Sequence, residues 1–204
     1  MRGVLLDRDG VLLLMDEEAL YRKALDLGAY GMGKERALAF LARAVRWINE
    51  EVRALSVRTV VEEEALFRAL AEEAVRELRA PLAKVQGLRY YHFMRPAPGA
   101  LDLLKALKAQ GLKVGVLSNT LPSLRESLAH HGLAEYVDGF YASCTLGVAK
   151  PDPRAFLLAL QDLGIPPREV FYLDDDPENV RVARALGLRA EIHVPGQPLL
   201  DAGQ

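Results

Sequence analysis

The chain has 204 residues, 50% of them hydrophobic, and 26 Lys+Arg against 28 Asp+Glu leave a net charge of -2. That length suits one domain carrying a sizeable insertion, and burial of roughly 70% of the unfolded surface excludes a disordered chain. The charge balance offers no basic excess for a phosphodiester backbone, so nucleic acid is excluded as a partner.

The first apolar run, Gly3-Val4-Leu5-Leu6, reads as a buried strand. Asp7 ends it before it can serve as a signal-peptide core, and no apolar run reaches the ~20 residues that span a bilayer. We therefore expect a soluble cytoplasmic protein, monomer or homodimer, with no membrane partner. From about Asp16 to Ala80 the period changes to that of helices, interrupted most clearly at Gly31 and Gly33. Leu38, Leu41, Val45, Ile48, Val52 and Leu55 form one stripe, and Phe67, Leu70, Ala71, Ala74, Val75 and Leu78 another. These amphipathic helices are expected to pack on each other.

After Pro96-Ala97-Pro98-Gly99 strands and helices alternate. Strands are expected at 113–117, 139–142, 170–173 and 190–194. Helices are expected near 100–110, 123–131, 153–163 and 177–186. Such alternation builds an α/β fold whose parallel sheet is covered on both faces, and the helical block becomes a cap inserted after the first strand. The expected division is a core of residues 1–14 and 96–194, a cap of 15–95 and a loose tail of 195–204.

Ligands of open α/β sheets bind beyond the carboxyl ends of the strands, and the polar residues concentrate there. Asp7 and Asp9 follow the first strand, Ser118 and Asn119 the second, Lys150 the third, and Asp174, Asp175 and Asp176 the fourth. Five carboxylates at one crevice repel by about 4 kcal/mol per pair at ~4 Å and a dielectric of ~20, so they need a cation. Oxygen ligands without nearby His or Cys select a hard ion, and Mg²⁺ with a substrate phosphate fits. Cys144 has no disulfide partner, and His92, His130, His131 and His193 lack zinc-site spacing.

Asp7 is the best nucleophile candidate, because a carboxylate attacks phosphorus to give an acyl phosphate that water hydrolyses. Asp9 is placed to protonate the leaving oxygen and then activate water, with its proton affinity raised by crowding. Ser118 and Asn119 offer donors to phosphate oxygens, and Lys150 a compact positive charge. Plainer roles stand beside these: Asp176 reads as a helix cap, the cap aromatics Tyr21, Tyr30 and Trp47 as packing, and Cys144 as a small apolar filler.

Asp7-Arg8-Asp9-Gly10-Val11, Ser118-Asn119, Lys150-Pro151-Asp152-Pro153 and Asp174-Asp175 through Asn179 resemble, in order, the four signature motifs of the haloacid dehalogenase-like hydrolase superfamily. The resemblance implies a Rossmann-like core with an inserted all-helical cap, as in the phosphoglycolate phosphatase and β-phosphoglucomutase branch. It also implies a metal held by the Asp7 side chain, the Asp9 backbone carbonyl and Asp175, with Asp174 behind them. The expected function is Mg²⁺-dependent hydrolysis of a small phosphorylated metabolite, of sugar phosphate or phosphoglycolate type, through an aspartyl-phosphate. A phosphomutase, a haloacid dehalogenase and a non-catalytic phosphate-binding protein are the alternatives. Members that cleave carbon–halogen bonds lack the second Asp, so Asp9 favours phosphate esters. Arg8 stands where many capped members have an apolar residue.

Overall fold

The computed structural model describes residues 1–199. The chain begins with β1 (Gly3–Leu6) and β2 (Leu13–Met15), then runs through four helices, α1 (Glu17–Gly28), α2 (Lys34–Ala54), α3 (Val60–Leu78) and α4 (Leu82–Val85). It returns by a one-turn 3₁₀ helix at Tyr90–Phe93 and β3 (Met94–Pro96). The remainder alternates: α5 (Ala100–Ala109), β4 (Lys113–Ser118), α6 (Leu124–His130), β5 (Gly139–Ala142), α7 (Ser143–Leu146), α8 (Pro153–Leu163), β6 (Val170–Asp174), α9 (Pro177–Ala185) and β7 (Arg189–Ile192).

The large sheet is parallel throughout, in the order β5-β4-β1-β6-β7. Strand order reverses beside β1, and this is where such sheets open a crevice for ligand. Because side chains alternate along a strand, Val4 and Leu6 join Val114, Val116 and Leu128 on one face, while Leu5 meets Phe156, Tyr172 and Val180 on the other. Both faces are dry, which is why the strands read as unbroken apolar runs. Each such leucine contributes about 1.5–3 kcal/mol by burial.

Local sequence sets the helix starts. Asp16 accepts from Ala19 N at 2.9 Å, Thr59 and Glu62 form a capping box, and Asp152 and Asp176 cap α8 and α9 ahead of prolines at the first turn. The cap role read for Asp176 is thus observed. β7 ends at Ile192, two residues before the sequence pattern suggests. β2 and β3, with Leu13 opposite Pro96 and Met15 opposite Met94, form an antiparallel pair carrying the chain out to the helical cap and back. At three residues each, they show no periodicity to read.

The two cap stripes meet only in part. Phe40 and Leu41 of α2 share a cluster with Ala71, Ala74 and Leu78 of α3, and Ile48 and Val52 lie in another with Phe67 and Leu70. Between these contacts the small side chains of Ala44, Ala71 and Ala74 leave space, and a cavity of about 470 Å³ lies between the helices and the core. The cap is seated on the core by Leu66, Phe67 and Leu70 packing with Leu121 and Cys144, so Cys144 is the apolar filler expected. A buried polar contact joins the same surfaces: Glu63 of α3 accepts from Ser123 N at 2.8 Å and Ser123 Oγ at 2.5 Å.

The tail expected to be loose is anchored at Leu199, which is 1% exposed and donates its N–H to Pro98 O at 3.3 Å. The rest of that expectation, 200–204, lies outside the described residues. Among the described residues no helix is long and apolar enough to cross a membrane.

Candidate active site

The carboxyl ends of β1, β4 and β6, with the loop after α7, bring Asp7, Asp9, Ser118, Asn119, Lys150, Asp174 and Asp175 around one polar pocket. At its base Lys150 Nζ lies 2.8 Å from Asp7 Oδ1 and 2.6 Å from Asp174 Oδ2. All three side chains are buried. One ammonium therefore serves two acids.

The charge balance shows in the proton affinities. Burial pushes the Asp7 carboxyl up to about 7, against the pull of Lys150 and with the help of Asp174 and Asp9. Burial also acts to neutralise Lys150, but Asp7 and Asp174 outweigh it and hold the ammonium charged. Asp175 is likewise raised, by burial and by the negative charge of Asp174. Oxygens of Asp7, Asp174 and Asp175 lie within 4.8 Å of one another.

Asp174 is saturated. Its Oδ2 accepts from Lys150, from Asn179 Nδ2 at 3.0 Å and from the Tyr172 hydroxyl, and its Oδ1 accepts from Asp176 N at 2.8 Å. Tyr172 escaped the sequence reading, although its position two residues before Asp174 on a strand puts both side chains on one face. Burial and the nearby Asp174 charge raise its phenol, so it stays a donor. Asn179 retains a buried carbonyl oxygen with no donor.

Ser118 is buried at the end of β4 and lines the pocket. Asn119 behaves differently from the phosphate donor expected of it. Its Oδ1 accepts from Lys150 N at 2.8 Å and its Nδ2 donates to Lys150 O at 2.9 Å, so the amide clasps the lysine's main chain. Nothing local in sequence signals a pair 31 residues apart.

Asp9, whose main-chain carbonyl and not its side chain was expected at the metal, lines the same pocket. Its side chain stands outside the trio of acids and is gripped by its neighbour: Arg8 Nε donates to Oδ1 at 2.7 Å and Arg8 Nη2 to Oδ2 at 2.8 Å. Arg8 is buried and also donates to the Tyr90 hydroxyl, with its guanidinium 4.8 Å from the centre of that ring. Thr120 Oγ1 donates to the same hydroxyl at 3.3 Å. Burial opposes the Arg8 charge, but Asp9 and Tyr90 more than restore it. Tyr90 and Thr120, missed in the sequence, thus tie the first loop to the segment that returns from the cap.

Gly10 follows with φ +81°, and a Cβ there would collide with the Asp175 carboxylate. Only glycine lets the two loops approach this closely. The donors gathered here are oxygens with a surplus of negative charge over Lys150, a set suited to a hard divalent cation.

The model of one family, haloacid dehalogenase-like hydrolase, matches residues 1–187. A phosphatase of Mycobacterium tuberculosis is 38% identical over 105 residues, which cover 50% of this chain and about half, 48%, of that protein. Phosphoglycolate phosphatase of Escherichia coli is 27% identical over 201 residues, 92% of this chain and 79% of its own. Among solved structures, a family enzyme of Bacteroides thetaiotaomicron superposes with a TM-score of 0.67 over 100% of both chains at 23% identity, a likeness of fold. The order of the acids along the sheet and the helical insertion after its central strand have the same explanation as these matches: the chain belongs to the haloacid dehalogenase-like hydrolases.

Proposed function

We propose that the protein is a Mg²⁺-dependent phosphatase of phosphoric monoesters that works through a phosphorylated Asp7. The observation that carries this reading is Lys150 shared between Asp7 and Asp174 beside the carboxylate of Asp175. Among its relatives, the mycobacterial and E. coli proteins are named phosphatases, and the Bacteroides enzyme was solved with magnesium and inorganic phosphate.

Asp7, the Asp9 main-chain carbonyl and Asp175 would hold the cation, and Asp174, its oxygens already occupied, backs them. When bound, the ion supplies charge stabilisation to the phosphoryl oxygens. Asp7 attacks phosphorus while the ester P–O bond breaks, and Asp9 gives its proton to the departing alkoxide. Asp9 then takes a proton from the water that hydrolyses the acyl phosphate. Held by Arg8, the Asp9 carboxylate only accepts, so acid catalysis requires it to leave that pair. The Ser118 hydroxyl and Lys150 ammonium bind the transferring group, and Asn119 keeps Lys150 in position.

A panel of phosphate esters assayed for phosphate release tests this. Release with Mg²⁺ should vanish with a chelator and in Asp7→Asn. Turnover that persists in Asp7→Asn rejects the covalent route. Chloride release from a chloroacid without Mg²⁺ would instead identify a dehalogenase, and conservation of ester phosphate on a hexose phosphate a mutase.

A further inference from the structure

The polar pocket and the 470 Å³ cavity under the cap are neighbours: Asp9, Gly10, Asn119 and Asp175 line both. A phosphoryl group seated between Ser118 and Lys150 therefore has its ester oxygen at the mouth of the cavity, beside Asp9, and whatever is attached to that oxygen enters the cavity. The chemistry of the cavity wall selects the leaving group.

Beyond the shared residues most of the wall is hydrocarbon. Leu27, Leu41, Ile48, Phe67, Leu70 and Leu88 typify it. The polar side chains that line it from the cap are Asn49 and Arg89, with Tyr90 in the returning segment. Arg89 is partly engaged: its guanidinium lies 4.8 Å from the centre of the Phe67 ring, and its Nη1 donates to Leu88 O at 3.0 Å. Arg8 and Tyr90 are tied to each other, to Asp9 and to Thr120. A sugar or a glycolate placed here would, apart from Asn49 and Arg89, face mostly aliphatic carbon, and each hydroxyl left unpartnered weakens binding by about tenfold or more. A volume of about 470 Å³ is in the range of small-molecule sites.

We propose that the preferred substrate carries an unbranched hydrocarbon chain as its leaving group, an alkyl phosphate whose tail fills the cavity between α2, α3 and the core. This inference rests on the phosphatase reading and narrows it, replacing the sugar phosphate and phosphoglycolate class with an apolar one. The reaction is otherwise unchanged: the Asp7 oxygen–phosphorus bond forms, the ester bond breaks, and the tail departs as a primary alcohol carrying the proton from Asp9.

The test is a homologous series, ethyl, butyl, hexyl and octyl phosphate with Mg²⁺, beside phosphoglycolate and glucose 6-phosphate. In parallel, calorimetry compares methylphosphonate with octylphosphonate, which bind without reacting. We expect kcat/KM to rise by about three- to fourfold per methylene, the worth of a buried CH₂, until the cavity is full. Octylphosphonate should bind at least tenfold more tightly than methylphosphonate. Ala44→Phe, which narrows the cavity, should pull octyl phosphate down toward butyl phosphate, and Ala44→Leu does so more gently if the larger ring prevents folding. A flat series with phosphate released from every ester overturns the inference and leaves the phosphatase standing. Equal binding of the two phosphonates overturns it whatever the turnover. Chain-dependent phosphonate binding without hydrolysis of any ester rejects the phosphatase alone.

Discussion

Arg8 and Asp9, adjacent in the chain, face each other as a two-pronged ion pair, with Arg8 buried and the Asp9 side chain 49% exposed. The guanidinium reaches inward to Tyr90, while the carboxylate stays at the junction of the polar pocket and the cavity. Arg8 is thus a brace for the first loop, and Asp9 is the group we propose to touch the reacting ester. Asp9→Asn should bind esters and lose turnover by about two orders of magnitude or more. Arg8→Met should keep turnover within a few-fold of the parent and lose about 1–2 kcal/mol of stability, the worth of charge-assisted hydrogen bonds at a partly wet site. Initial rates with urea melts check both, and loss of turnover in Arg8→Met as deep as in Asp9→Asn would place Arg8 in the chemistry.

The burial of Asp7 makes metal binding depend on pH. With its carboxyl raised to about 7, Asp7 holds a proton below that value, and the stability linked to this proton is lost as pH rises through it. Mg²⁺ needs the carboxylate, so each pH unit below about 7 weakens its apparent affinity by about tenfold. The rise in melting temperature on adding Mg²⁺ should therefore be larger at pH about 8 than at pH about 6. An equal rise at both values contradicts an Asp7 proton in competition with the metal.

Glu63 gives the cap its own pH response. Burial raises its carboxyl against the two bonds from Ser123, so the stabilising proton is fully bound below the ordinary value near 4.5 and is lost as pH rises through the raised one. Melts of the parent should show it losing stability relative to Glu63→Gln, which cannot titrate, as pH rises above the ordinary value near 4.5. Glu63→Ala leaves the Ser123 donors without an acceptor and should cost about 1–3 kcal/mol. Parallel pH curves for the parent and Glu63→Gln would show that Glu63 does not titrate in this range.

Much of this architecture is legible in the sequence because the sheet is buried on both faces: Val4-Leu5-Leu6 and Val170-Phe171-Tyr172-Leu173 are continuous apolar runs that stop at acids, and the stop marks the strand end. The motifs likewise announce which residue types gather. What they do with their hydrogen bonds is set by distant partners. Asn119 turns to the Lys150 main chain, and Asp9 turns away from the other acids to Arg8. The cavity was hidden for a related reason. Helical periodicity reports that Leu41 and Phe67 face inward, but not how far apart their helices stand, which depends on small residues such as Ala71 and Ala74 across the gap.

The clasp of Asn119 on Lys150 has a consequence for how such an enzyme diversifies. It fuses the loops after two different strands into one rigid jaw, so the span between the Ser118 hydroxyl and the Lys150 ammonium is fixed by the core and owes nothing to the helices above. On the proposed function, recognition of the headgroup and choice of the alcohol are then separable inheritances: the cap can be redrawn, residue by residue, for new esters while the jaw keeps the same grip on the anion.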